Sequence, residues 1–129
     1  MASVVFDASA VIALLRGELG AEIIAAHAGD ALISAVNLQE VVKALLARGA
    51  PIEAARAMID ELHLEVRPHG AAEAYAAAAL HGVTREFGSG LGDRTCMALA
   101  IAEGLPAITT DRDWLRLDIP SLAVTLART

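Results

Sequence analysis

Apolar positions in this chain fall into short unbroken runs that alternate with stretches of helical spacing. The run Ser3-Val4-Val5-Phe6 is the clearest: it stops abruptly at Asp7 and passes into the small, helix-compatible Ala8-Ser9-Ala10-Val11. A strand apolar on successive residues, instead of on alternate ones, suits a sheet covered on both faces. Four more brief runs, at 31–34, 64–67, 106–110 and 122–126, read the same way. Between them the pattern predicts helices over 9–15, 21–28 and 37–48, and another from Pro51 with Ile52, Ala55, Met58, Ile59 and Leu62 at helical spacing. Alanine dominates 71–86, which predicts one continuous helix, and 93–103 predicts the last. Gly49 and Gly104 mark helix ends, and Gly82, Gly88, Gly90 and Gly92 predict a loop before Asp93. Strand and helix in alternation give an α/β fold, a parallel sheet sandwiched between helices.

Composition narrows this picture. The 129 residues form one domain, 1–129, and with 56% hydrophobic but only 3% aromatic residues the core must be built from Ala, Leu, Val and Ile. A formal charge of −6 excludes nucleic-acid binding through a broad basic surface alone, so such a substrate would need a local basic strip or a bound cation. The single cysteine, Cys96, permits no intramolecular disulfide and fits a reducing compartment. The first fifteen residues carry Asp7 and no Lys or Arg, unlike a secretory signal, and no apolar run nears the ~20 residues that span a bilayer. The expectation is a soluble, cytoplasmic protein with no membrane partner.

The candidate chemistry lies in the acids that follow the strands. Asp7 follows the first strand, Glu40 lies early in the helix after the second, Asp93 opens a helix, and Asp111 follows a late strand. Ligands of open parallel sheets bind beyond the strands' carboxyl ends, so all four acids belong to one edge. Each has a plainer reading. Asn37 and Glu40 have the spacing of a capping-box variant, and Asp93 and Asp111 suit helix N-caps. Capping gives no reason to gather mutually repelling carboxylates from separate elements, whereas a hard divalent cation does. Mg²⁺ or Mn²⁺ so held lowers the pKa of a water and neutralises charge on a phosphodiester. Asp113, two residues beyond Asp111, is a possible additional acid.

Taken together, Asp7-Ala8-Ser9-Ala10, Glu40, the segment Gly90-Leu91-Gly92-Asp93-Arg94-Thr95-Cys96-Met97-Ala98-Leu99-Ala100 and Thr109-Thr110-Asp111-Arg112-Asp113-Trp114 resemble a PIN-domain ribonuclease, more narrowly the VapC-like toxins of bacterial type II toxin-antitoxin modules. The resemblance covers the whole chain. It implies a three-layer α/β/α sandwich with a parallel sheet of about five strands, a homodimer, and Mg²⁺- or Mn²⁺-dependent endonucleolytic cleavage of RNA. It carries the catalytic and metal-binding acids onto Asp7, Glu40, Asp93 and Asp111. It also implies a cognate antitoxin that blocks the cleft with a peptide. The glycine-rich approach to Asp93 departs from the leucine-serine-leucine-glycine-aspartate run usual in these toxins.

Around the acids, Ser9 and Thr110 offer hydroxyls for a water or a phosphate oxygen, or caps for the adjoining helices; Arg94 and Arg112 offer phosphate contacts or charge balance. His27, His63, His69 and His81 lack the spacing of a zinc site, and Cys96 and Trp114 read as packing. Two other readings fit parts of the sequence. A phosphotransfer domain would want a second acid just after Asp7 and a cleft lysine, but Ser9 stands at the +2 position and the only lysine is Lys43. A non-catalytic PIN-like module binding RNA or protein would have no need for four repelling acids.

Overall fold

The computed structural model describes residues 1–128. Five strands, β1 (Val4–Phe6), β2 (Ala31–Ser34), β3 (Glu65–Arg67), β4 (Ala107–Thr109) and β5 (Val124–Leu126), form one sheet in the order β3-β2-β1-β4-β5. All four pairings are parallel. The connecting helices are α1 (Ala8–Arg16), α2 (Ala21–Ala25), α3 (Ala35–Ala47), α4 (Ile52–Asp60), α5 (Ala71–Ala78), α6 (His81–Thr84) and α7 (Leu91–Glu103). The five-stranded parallel sheet between helices is the architecture expected from the sequence.

Burial explains why the central strands are apolar throughout. Val4 and Phe6 of β1, with Ala31 and Ile33 of β2, face a core shared with Val11, Ile24, Val41, Leu45 and Ile59. The intervening Val5 and Leu32 face the opposite core, with Cys96, Met97 and Ala100 of α7 and with Trp114. Period-two alternation thus serves two apolar faces. The outer strand β3 lacks this pattern, and its Glu65 and Val66 are exposed. Gly20 has φ of 93° and admits the Ala127 carbonyl where a Cβ would sit, so only glycine closes that turn.

Several element boundaries differ from expectation: the helix expected over 21–28 ends at Ala25 and the strand expected over 122–126 begins at Val124. The alanine-rich stretch is not one helix: α5 ends at Ala78, α6 runs only from His81 to Thr84, and a 3-10 turn at Arg85–Phe87 follows. Alanine favours helix but fixes no direction, and here the half-buried Leu80 and the fully buried Thr84 reorient the chain. The last helix begins at Leu91, so Gly92 lies inside it and Asp93 in its first turn. The helix after β2 likewise begins at Ala35, with Ser34 Oγ accepting from the Val36 amide at 3.2 Å as its N-cap. No helix among the described residues is long and apolar enough to cross a membrane.

Candidate active site

Because every strand is parallel, their carboxyl ends share one edge, and the amino ends of α1, α3 and α7 meet it from above. β1 delivers Asp7 there as the N-cap of α1. Its carboxylate accepts from the Ala10 amide at 2.8 Å, from Ser9 Oγ at 2.8 and 2.9 Å, and from Thr109 Oγ1 at 2.6 Å. Asp7 is 4% exposed, and burial pushes its pKa up to about 6 from the ordinary 3.8. The Thr109, Ala10 and Ser9 hydrogen bonds oppose that rise, and the Asp93 charge adds to it.

The second group is built across α3 and α7. Asn37 is buried, and its Nδ2 donates to Glu40 Oε1 at 2.8 Å and to the Gly92 carbonyl at 3.0 Å. Glu40 is itself exposed and lies against Gly92 so closely that a Cβ there would overlap its carboxylate. The capping-box reading of Asn37 and Glu40 is therefore overturned: Glu40 accepts a hydrogen bond from the Asn37 side chain and not from a backbone amide, and Ser34 caps the helix. Asp93 accepts from the Gly90 amide at 2.9 Å, closing the first turn of α7. Beneath these acids the buried Cys96 thiol is pushed well up, first by burial and then by the charges of Asp7, Asp93 and Glu40, so three of the four expected acids act on one buried point.

Asp111 is placed differently. Its amide donates to Thr109 Oγ1 at 3.1 Å, which ties the β4 end to Asp7 through one hydroxyl. The Asp111 carboxylate is exposed and accepts from the Asp113 amide at 2.9 Å, capping the 3-10 turn Arg112–Arg116. Asp113 is 3.7 Å from Arg116, away from Asp7's hydrogen-bond network. Ser9 holds the Thr110 amide at 3.1 Å, so Thr110 enters through its backbone. The hydroxyl that reaches Asp7 belongs to Thr109, which the sequence reading passed over. Arg94 bends back to the Ser89 carbonyl at 2.5 Å, and Arg112 is exposed.

The ion pairs among the described residues use Arg16, Arg67 and Arg116, and none reaches Asp7, Glu40 or Asp93. A buried carboxylate without a basic partner, beside two others, is electrostatically costly unless a cation joins it. No group of three or more His, Cys, Asp or Glu side chains among the described residues stands arranged to hold a metal ion, so any ion here would rest on fewer protein ligands. All the donors are hard oxygens, which suits Mg²⁺, an ion that commonly takes one or two carboxylates and fills its remaining positions with water and phosphate. The residues present fit such an ion.

Comparison with known proteins bears on this geometry. The family profile described as the PIN domain matches residues 4–120. No curated protein matches by sequence. Among solved structures, a toxin-antitoxin complex from Klebsiella pneumoniae is similar at 22% identity with a TM-score of 0.73, covering 97% of this chain and 98% of that one. VapC20 of Mycobacterium tuberculosis, described as a sarcin-ricin loop cleaving toxin, is similar at 21% identity and a TM-score of 0.73, covering 88% and 94%. The DNA-bound VapBC of Salmonella typhimurium is similar at 18% identity and 0.72, covering 98% and 99%.

Proposed function

We propose, on the premise that this chain belongs to the PIN-domain family, that it is a Mg²⁺- or Mn²⁺-dependent endoribonuclease and the toxin of a type II toxin-antitoxin pair. The observation that carries the reading is the gathering of Asp7, Glu40 and Asp93 at one sheet edge, from three separate elements, with no basic side chain among the described residues paired to them. Asp7 and Asp93 would hold the ion, with Glu40 beside them and Asp111 completing the set by turning from the Asp113 amide. Bound there, the ion supplies a water of lowered pKa and offsets charge that builds on the scissile phosphate.

The chain's own residues supply the orientation. Ser9 and Thr109 hold the Asp7 carboxylate from two sides, so it presents its oxygens without rearranging. Glu40, exposed at the mouth, would accept a proton from an attacking water. Arg112, exposed in the turn after β4, and Arg128, whose Nη1 donates to the Thr110 carbonyl at 3.4 Å, would meet RNA phosphates. Similarity to solved complexes of toxins with antitoxins supports a cognate antitoxin as partner; the toxin itself would act as a homodimer.

The test is digestion of RNA by the purified protein with Mg²⁺ or Mn²⁺, with and without chelator, and sequencing of the fragment ends. Internal cuts that chelator abolishes are expected. Asp93→Asn should keep the far-ultraviolet circular dichroism of the parent and lose at least ~100-fold in rate. Undiminished cutting by that variant would remove Asp93 from the site.

A further inference from the structure

We infer that Asn37 is a positioning residue that locks the Glu40 carboxylate to the first turn of α7 and so sets where Glu40 stands relative to Asp93; the inference rests on the nuclease reading above. Asn37 is 1% exposed, in the first turn of α3, and both protons of its amide are used, one on Glu40 Oε1 at 2.8 Å and one on the Gly92 carbonyl at 3.0 Å. Gly92 immediately precedes Asp93. One planar amide therefore spans an acid on α3 and the peptide adjoining an acid on α7.

The other end of the side chain shows what the residue is for. Asn37 Oδ1 is buried and has no hydrogen-bond partner among the described residues. An unpaired buried acceptor weakens the fold, and a leucine would fill the same space without it. The compensating gain lies in the two donated bonds. Glu40 is otherwise an exposed, flexible side chain without an ion-pair partner among the described residues, and losing the Asn37 amide would free it to leave the cleft. Neighbours that orient metal-binding carboxylates commonly carry 10- to 100-fold in metal affinity or activity.

Two variants test this, Asn37→Leu, which keeps volume and removes the polar atoms, and Asn37→Asp, which keeps shape and removes the donors. Titration calorimetry with Mn²⁺ alone should show affinity lowered about tenfold or more in both. RNA cleavage should show kcat lowered at least ~10-fold with KM within about twofold of the parent. The metal-free unfolding midpoint of Asn37→Leu should not fall. Parent-like Mn²⁺ affinity and kcat in both variants, or losses that track a lowered midpoint, would overturn the inference. Should the parent itself bind no Mn²⁺ and cut no RNA, the nuclease reading fails, and amide hydrogen exchange decides the clamp separately. Faster exchange at Arg94 and Thr95 in Asn37→Leu would sustain it, and unchanged exchange would refute it.

Discussion

Asp7 accepts hydrogen bonds from Ser9, Ala10 and Thr109, yet burial outweighs them and leaves its pKa near 6. A raised carboxyl pKa means that the folded state holds its proton more tightly than the unfolded chain does. Below pH 3.8 both states are protonated and Asp7 costs nothing; the cost grows as pH rises from there and is complete above about pH 6. A shift of that size corresponds to about 3 kcal/mol against folding at neutral pH. Asp7→Asn should therefore stabilise the metal-free protein by roughly 1–3 kcal/mol at pH 7.5 and by less at pH 5, read from urea unfolding midpoints. An Asn variant less stable than the parent at pH 7.5 would contradict this. The sequence made Asp7 conspicuous because an acid ended an apolar run. It did not distinguish Thr109 from Thr110, since which of two adjacent threonines faces Asp7 depends on pleat parity at the end of β4: Thr109 is buried and Thr110 half-buried. Asn37 was visible only as a capping pattern, because its partner, Gly92, lies 55 residues away.

Among the elements, α7 matters most, since its first turn places Asp93 and abuts Glu40. Gly92 sits inside that turn because the Glu40 carboxylate occupies the position of a Cβ. Gly92→Ala would meet only the movable end of Glu40, so the fold should tolerate it. Stability should stay within ~1 kcal/mol of the parent, helped by alanine's helix preference. Displaced from Asn37, Glu40 should leave RNA cleavage at least ~10-fold slower, measured beside thermal melts. Full activity in this variant would show that the placement of Glu40 is immaterial. Most strands and helices were legible from alternating period, and the helix at 71–86 was not, because its alanines say helix at every position while Leu80 and Thr84 decide the direction. The four nearby glycines suggested a loop as far as Asp93, but Gly92 proved to be a matter of close approach, which no local pattern announces.

At the scale of the molecule, a parallel sheet with β1 at its centre is what brings distant acids together: Asp7 follows β1, Asn37 and Glu40 follow its neighbour β2, and α7 returns over the same edge before β4. The formal charge of −6 opposes approach of RNA, so a bound cation has to add to the positive charge of Arg112 and Arg128 at the cleft. Crystals grown with Mn²⁺ and measured at the manganese absorption edge give the most direct test. An anomalous peak is expected within coordination distance, ~2.0–2.3 Å, of carboxylate oxygens of Asp7 and Asp93. Saturating Mn²⁺ with no peak at those oxygens, or with peaks only elsewhere on the surface, would contradict it.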